Sequence, residues 1–224
     1  PVYADIDPET LCATKHSVEN VINKRTSCVV YQYTFGHMGD IAAVSALCRE
    51  KGIPLIEDAA HNFDLRDTEN PVGIYGEAVI YSFGSEKVIS AVRLGAVRSK
   101  NTNLISKIKE DISLSPCTTF FQELQIALHP ILFFNAQKRF SSYGRWMLRV
   151  SRIFGLIPKI LSDREKRGEL PKLFPRKPSR VAAFLLKDEL QTAENSLFLR
   201  EKHYNLYRSK IPERFHAQRN TISI

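Results

Sequence analysis

The stretch SCVVYQYTFGHMGDIAAVSALCREKGIPLIEDAA, residues 27–60, decides the fold. Its first part, 27–35, is rich in β-branched and aromatic residues and is followed by Gly36, which is typical of a strand. Residues 39–52 then place apolar side chains at helical spacing and end at Gly52. Residues 53–60 form a short apolar run that ends in acidic residues. Together these segments predict a strand–helix–strand crossover, and therefore an α/β protein with a mostly parallel sheet covered by helices.

The flanking sequence extends this prediction. Residues 16–26 indicate a short helix, and residues 78–83 and 94–99 indicate further strands of the same sheet. The opening PVYADID, residues 1–7, is also strand-like, and no basic and apolar leader precedes it.

Composition indicates an ordinary globular protein, since 43% of its 224 residues are apolar and 25% are charged. The formal charge of +8 is unevenly placed, because residues 1–110 have a net charge of −2 and residues 111–224 a net charge of +10. This asymmetry favours an acidic partner such as phosphate, anionic lipid or nucleic acid, although a solvated basic face is an equal alternative. The four cysteines have no paired spacing, which indicates free thiols in a reducing cytoplasm and neither a zinc site nor disulfides.

Two residues with complementary chemistry follow the ends of predicted strands. Asp58 ends the strand at 53–60, and Lys87 follows the strand at 78–83 in SFGSEK, residues 82–87. Ligands of open parallel sheets bind at the carboxyl ends of the strands. Pyridoxal phosphate needs a lysine for a Schiff base and a carboxylate beside its pyridine nitrogen, while Ser82 and Ser85 offer hydrogen bonds to a phosphate. On spacing alone, a solvated Lys87 and a helix-capping Asp58 remain open.

Several motifs in register change this balance. PVYADIDPETL, KRTSCVVYQYTFGHMGDI, LCREKGIPLIEDAAH and GEAVIYSFGSEKVIS, followed by LGAV, resemble the DegT/DnrJ/StrS family of pyridoxal-phosphate-dependent sugar aminotransferases across residues 1–100. The resemblance implies an aspartate-aminotransferase-like fold (fold type I) and a cytoplasmic enzyme, usually a homodimer. Such an enzyme transfers an amino group from an amino acid such as glutamate to a keto sugar, often nucleotide-linked. The implied setting is the biosynthesis of polysaccharides or sugar antibiotics.

The resemblance also implies roles for individual residues. Lys87 would hold pyridoxal phosphate as a Schiff base and act as the acid and base, and Asp58 would pair with the ring nitrogen. Ser82 would bind the phosphate. His61 would lie near the phenolic oxygen, with a capping or core histidine as the alternative, and Ala60 would pack on the ring. A lysine in place of the histidine found in some sugar-dehydrating relatives indicates transamination.

Departures from the family pattern concern the segment around the lysine. Gly84 replaces the usual histidine or tyrosine, and only Gly95 stands where several glycines are typical. Arg93 lies in this segment and is a candidate ligand for a substrate phosphate or carboxylate, with a solvated arginine equally open. The family's amino-terminal phosphate-binding turn has no counterpart, so we expect a fragment of a longer enzyme.

We divide the chain into three parts. Residues 1–110 are predicted to be the cofactor-binding α/β portion, 111–175 a divergent basic helical insert, and 176–224 helices that lead into a small domain. Residues 145–161 predict a basic amphipathic helix, for which contact with an anionic membrane and packing on the parent domain or a second subunit both remain open. Near the end, the predicted core positions are Leu185, Leu190, Leu197 and Leu199.

Two other functions remain open. The first is a descendant of the aminotransferase fold that has lost activity and only binds a ligand, which the altered lysine segment favours. The second is nucleic-acid binding, which the basic second half and its interleaved aromatics favour, although no recognised nucleic-acid module is present.

Overall fold

A computed structural model describes residues 1–63, 72–138, 142–157, 165–169 and 176–212. The strands are β1 (Val29–Gln32), β2 (Leu55–Asp58), β3 (Ala78–Ser82) and β4 (Gly95–Ser99). The helices are α1 (Lys15–Val21), α2 (Ile41–Lys51), α3 (Thr102–Leu114), α4 (Phe120–Lys138), α5 (Ser142–Ile153), α6 (Arg180–Gln191) and α7 (Ala193–Lys210). Short 3₁₀ turns lie at Thr34–Gly36 and Glu165–Arg167.

The four strands form one sheet in the order β1-β2-β3-β4. The first three are parallel, with Gln32 opposite Asp58 and Asp58 opposite Ile80, so their carboxyl ends lie at one edge. Strand β4 is antiparallel to β3, and Ser82 lies opposite Gly95. The predicted α/β class with a mostly parallel sheet is confirmed. The antiparallel strand follows because the chain returns from β3 without a crossover helix.

The strand-like opening at residues 1–7 is a correction, because this segment forms only an isolated bridge between Ile6 and Ala13. Asp7 explains the difference, since its Oδ1 accepts hydrogen bonds from the N–H groups of Glu9 and Thr10 and closes a turn. The bond from the Thr10 N–H is the main cause that lowers the pKa of Asp7. A short polar side chain that bonds nearby backbone competes with strand pairing.

Helix α2 covers one face of the sheet. It ends where Gly52 adopts the left-handed conformation with φ 65° and returns its N–H to the last turn. Its buried side chains pack with those of the strands into a first core, whose largest members include Tyr31, Tyr33, Val44, Leu47 and Val79. The opposite face of the sheet leaves Val30, Ile80 and Val97 exposed.

A second core lies beneath the segment that follows β3. It contains Phe83, Ile89, Ala91, Val92, Ile126, Ala182 and Ala193, which come from that segment, from α4 and α6, and from the start of α7. Of the predicted core positions, Leu197 is buried and Leu185 is half-buried. The prediction was wrong for Leu190, near the end of α6, and Leu199, on α7, which are both exposed. Helix α6 is the main neighbour of α7 among the described elements.

Glu123 fixes the start of α6 to α4. Its carboxylate accepts hydrogen bonds from Ser179 Oγ at 2.6 Å, from the N–H of Val181 at 3.1 Å and from the hydroxyl of Thr118. Partial burial raises the pKa of Glu123, but these hydrogen bonds outweigh burial and hold the pKa below its usual value. Ser179 is also the N-cap of α6, so the Glu123 carboxylate stabilises both the start of α6 and its packing against α4.

The amphipathic helix predicted at 145–161 is present in part as α5, which ends at Ile153. Residues 154–157 are not helical, because Gly155 adopts the left-handed conformation with φ 66°, and residues 158–161 lie outside the described part of the chain. Helix α5 packs against α4. No helix among the described residues is long and apolar enough to span a membrane. The boundaries at 110 and 175 stay predictions.

Candidate functional site

The carboxyl edge of the parallel strands gathers several of the predicted site residues. Asp58 is the last residue of β2, and Ser82 is the last residue of β3. The turn that carries Ser85 and Lys87 leaves β3 directly after Ser82. The sheet therefore brings an acid, a hydroxyl and the turn with the lysine to one edge.

Asp58 retains one uncommitted oxygen. Its Oδ1 accepts a hydrogen bond from the N–H of Ala60 at 3.0 Å, and its backbone carbonyl accepts one from the N–H of Tyr33. Within the described ranges, Oδ2 receives no hydrogen bond, although the residue is half-buried. The carboxylate is thus oriented by local backbone and leaves one oxygen for a ligand.

Glu57, which sequence reasoning did not single out, is fully buried and structural. Side chains alternate along a strand, so Glu57 faces the first core while Asp58 faces the other way. The Glu57 carboxylate accepts hydrogen bonds from Tyr33 Oη at 2.5 Å and from the N–H groups of Gly73, Tyr75 and Gly76 at 2.7, 2.8 and 2.6 Å. Burial raises the pKa of the Tyr33 hydroxyl, and its hydrogen bond to Glu57 raises the pKa further. The sequence signal for this buried residue was a glutamate within an otherwise apolar strand.

The segment that holds Lys87 is closed by its own backbone. The N–H of Lys87 donates to the carbonyl of Gly84 at 3.0 Å, and Phe83 exchanges backbone bonds with Leu94 and Ala91. Phe83 and Ile89 bury their side chains in the second core. The turn is therefore anchored on both sides of Lys87.

The lysine and the two serines differ in whether their side chains have hydrogen-bond partners. Lys87 is half-buried, and its ammonium has no partner among the residues that the structure describes, which also holds for the hydroxyl of Ser82. Ser85 instead donates its hydroxyl to Glu86 Oε2 at 3.2 Å, so it would have to turn to reach a phosphate. A Cβ at Gly84 would lie 3.0 Å from the flexible carboxylate of Glu86, so a larger residue there would require that side chain to move.

Val92 occupies a strained backbone position five residues after Lys87. Its φ is 66°, in the left-handed region that disfavours β-branched residues, although its side chain is buried in the second core. This is the segment in which the resemblance leads us to expect glycines. Val92 therefore holds a backbone conformation that ordinarily favours glycine.

We expect Val92→Gly to be more stable than Val92→Ala by about 1 kcal/mol, the reverse of the usual order. Both substitutions remove the two methyl groups of Val92 and glycine also removes Cβ, but only glycine relieves the left-handed strain. Ala91→Gly is the control, because Ala91 is buried without a positive φ, and here glycine should be the less stable residue. Urea denaturation measures all four free energies of unfolding. An alanine variant at 92 as stable as the glycine variant would contradict the strain.

His61 is exposed and lies against an aromatic residue that sequence reasoning missed. Its ring stacks on Phe35 with centroids 5.9 Å apart and an interplanar angle of 15°, and its Nδ1 accepts from the N–H of Phe35 at 3.4 Å. Phe35 has φ 52° and remains exposed after the end of β1. The structure therefore excludes a core histidine at His61. The aromatic in YTFG at a strand end was the available signal for Phe35.

Arg93 stands apart from this group. It is exposed, and its N–H donates to the carbonyl of Ala91 at 2.7 Å. No contact within the described ranges joins its guanidinium to Asp58 or Lys87. Its role as a substrate ligand stays a prediction.

These residues fit a cofactor that needs an amine, an anion and hydroxyl donors. An uncommitted carboxylate oxygen of Asp58, the free ammonium of Lys87 and the free hydroxyl of Ser82 lie after neighbouring strand ends. Ala60, two residues after Asp58, is small and half-buried. The fold is that of an α/β protein, and these side chains lie at the carboxyl edge of its parallel strands.

Comparison with known proteins identifies the family. The model of the DegT/DnrJ/EryC1/StrS aminotransferase family matches residues 1–121, more than half of the chain. The chain belongs to this family of aminotransferases, as the sequence motifs predicted.

Individual relatives match the same part of the chain. An L-glutamine:2-deoxy-scyllo-inosose aminotransferase of Micromonospora echinospora is 35% identical over 97 residues, which are 43% of this chain and 23% of that protein. The GDP-perosamine synthase of Vibrio cholerae is 34% identical over 107 residues, 48% of this chain and 29% of that protein. The aminotransferase TlmJ of Streptoalloteichus hindustanus has 31% identity and a TM-score of 0.49, covering 51% of this chain and 31% of that one. The chain thus spans about a quarter to a third of the length of these relatives.

Proposed function

We propose that this chain forms the cofactor-anchoring part of a pyridoxal-phosphate-dependent sugar aminotransferase. The amino donor is an amino acid such as glutamate, and the acceptor is a keto sugar, with a nucleotide-linked sugar favoured. The main observation behind this proposal is the Asp58 carboxylate, one of whose oxygens accepts no hydrogen bond within the described ranges. It lies at the same edge of the sheet as the turn that carries Lys87. Membership of an aminotransferase family supports it.

Each anchoring residue has a distinct task in this proposal. Lys87 would hold the cofactor covalently through Nζ, and Asp58 would lie against the ring nitrogen. Ser82 and Ser85 would donate to the phosphate, Ala60 would pack on the ring, and His61, backed by Phe35, would flank the phenolic oxygen.

The chemistry divides between cofactor and protein. When bound, the cofactor withdraws electrons from the substrate carbon next to the reacting nitrogen and so makes its proton removable. Once the amino donor has replaced Lys87 on the cofactor, the freed Lys87 Nζ would take that proton as general base and return it one position away as general acid. The negative charge of Asp58 favours the protonated, electron-withdrawing ring nitrogen, because opposite charges at short range stabilise each other.

The substrate assignment follows from relatives and charge. The names of the relatives include a GDP-linked sugar product and an L-glutamine donor, so both glutamine and glutamate are to be tested as donors. A sugar nucleotide has an anionic diphosphate, and exposed Arg93 follows the Lys87 turn. A cytoplasmic homodimer in polysaccharide or sugar-antibiotic biosynthesis completes the proposal. The four free cysteines are compatible with a reducing compartment.

Asp58→Asn tests the proposal. We expect this variant to bind pyridoxal phosphate about 10- to 100-fold more weakly, because it removes one partner of a charge pair while the amide oxygen keeps the bond from the Ala60 N–H. The matched control is Asp40→Asn, because Asp40 is exposed and lies outside the site, where its carboxylate accepts a hydrogen bond from the N–H of Lys15. Absorbance titration of wild type and both variants measures the dissociation constants, and each loaded protein is then given glutamine or glutamate to detect the 2-oxo acid.

The outcomes separate the two remaining functions. Equal affinities in the Asp58 and Asp40 variants would remove Asp58 from the site. Cofactor binding through Asp58 with no 2-oxo acid from either donor would favour the alternative of a catalytically inactive binding protein, which the replaced glycines around Val92 support.

A further inference from the structure

Helices α4 and α5 expose a broad apolar surface far along the chain from the cofactor residues. The defining side chains of this surface, called the α4–α5 face below, are Phe120, Leu124 and Ile131 on α4 and Trp146, Ile153 and Phe154 on or directly after α5. Phe120 is 83% exposed, Ile153 75%, Phe154 71% and Trp146 56%. Contiguous exposed apolar surface of this kind marks an interaction site.

The two helices are antiparallel neighbours. Gln125 near the start of α4 donates to the carbonyl of Gly155 just past the end of α5, and Gly155 lies against the ring of Phe121. Helix α5 turns Gly144 and Ser151 inward as buried positions. At 100° per residue, Phe154 then lies beside the exposed stripe of α4, with Trp146 and Ile153 further around the helix. The apolar residues thus continue from the exposed stripe of α4 around to the outer side of α5.

Positive charge borders this side. Arg145, Arg149 and Arg152 follow one another around α5 beyond Trp146 and Ile153, and all three are exposed. Among the residues that the structure describes, none of the three guanidinium groups has a partner in a hydrogen bond or an ion pair. The sequence from 124 to 162 contains six lysines and arginines and no aspartate or glutamate. Among the described residues, no acid is therefore seen to neutralise the rim.

We propose that the α4–α5 face binds the surface of an anionic membrane, with α5 lying in the plane of the interface. An apolar stripe bordered by arginine, with a tryptophan at the boundary, is the composition that enters the headgroup region of anionic lipids. A second copy docked on this face would bring two acid-free arginine rims together. A nucleic acid would leave the aliphatic and phenylalanine side chains in contact with phosphate and water. Charge and apolarity therefore select the lipid surface, independently of the proposed aminotransfer.

The only tryptophan of the chain reports this contact directly. Vesicles of 30% phosphatidylserine in phosphatidylcholine are titrated into the chain while the emission of Trp146 is followed. We expect a blue shift and quenching by bromine-labelled acyl chains, with little change for pure phosphatidylcholine. Analytical ultracentrifugation without vesicles is run at the same protein concentrations.

Two triple variants with the same change in net charge separate local from general electrostatics. Arg145→Glu/Arg149→Glu/Arg152→Glu should weaken vesicle binding by about 100-fold, since each basic side chain near an anionic surface contributes a factor of about five. Lys100→Glu/Lys107→Glu/Lys109→Glu alters exposed lysines on or before α3 and should change binding less than fivefold. Circular dichroism confirms that both variants are folded.

Three results would overturn the proposal. They are the absence of a blue shift with anionic vesicles, an equal loss of binding in the two triple variants, and a blue shift that appears without vesicles as the chain self-associates. The cofactor plays no part in any of these measurements, so failure of the proposed function leaves the outcome unchanged.

Discussion

Replacement of Lys87 by alanine is expected to abolish covalent attachment of pyridoxal phosphate to this chain. The wild-type turn presents a half-buried amine without a hydrogen-bonding partner in the described part of the chain, held at both flanks by the backbone bonds of Phe83 and Gly84. Alanine removes the amine and leaves these bonds in place. Absorbance after incubation with the cofactor, borohydride reduction and peptide mapping by mass spectrometry follow the attachment, and wild type should give one modified peptide with the label on Lys87.

Two controls define what the lysine contributes. Lys87→Arg keeps the positive charge but cannot be deprotonated for covalent attachment, so it should lose the reducible band as the alanine variant does. Lys51→Ala removes an exposed lysine at the end of α2 and should behave as wild type. A label on another lysine, or a reducible band that survives in Lys87→Ala, would refute the assignment of the anchor.

Glu57→Gln is expected to lower the free energy of unfolding by about 3–5 kcal/mol, a large part of the stability of an ordinary domain. The wild-type carboxylate is fully buried and accepts from four donors, three of them the backbone N–H groups of residues 73, 75 and 76. Glutamine offers one accepting oxygen and places an NH₂ group against at least one N–H. Urea denaturation measures the loss, and hydrogen exchange should show faster opening of those three amides.

Neighbouring residues provide the comparison. Glu77→Gln makes the same chemical change at an exposed side chain next to β3 and should alter stability by no more than about 0.5 kcal/mol. Tyr33→Phe removes only one of the four donors to Glu57 and should cost about 1–2 kcal/mol. If Glu57→Gln and Glu77→Gln unfold at the same urea concentration, the buried carboxylate is not the support of this loop.

The two acids of the IEDAA stretch divide their tasks by strand alternation. Glu57 turns into the first core and fixes residues 73–76, while Asp58 faces the other way and keeps one oxygen free. Adjacent positions of one strand therefore provide rigidity and, under the proposed function, a group that binds the cofactor. We expect substitution of Glu57 to weaken cofactor binding only through loss of the folded sheet, whereas substitution of Asp58 should leave folding intact.

Local patterns were sufficient for the sheet and its helix. The β-branched run at 27–35, the helical period at 39–52 and the apolar run ending at Asp58 each carry their own signal within a few residues, and β1, α2 and β2 confirm them. The opening segment misled the prediction because Asp7 closes a local turn that alternation of apolar residues does not encode. Helical spacing likewise did not reveal that Leu190 and Leu199 are exposed.

The sequence by itself determined the α/β class, the family, and the identity of Asp58 and Lys87 as candidate anchors, because these depend on residue type and on spacing along the chain. Only the tertiary structure decided that Glu57 is the buried support of residues 73–76, that Phe35 stacks on His61, and that Val92 has a left-handed backbone. It also placed the apolar sides of α4 and α5 together beside an arginine rim. These features arise from contacts between residues distant in sequence or from backbone angles set by packing, so no local pattern carries them.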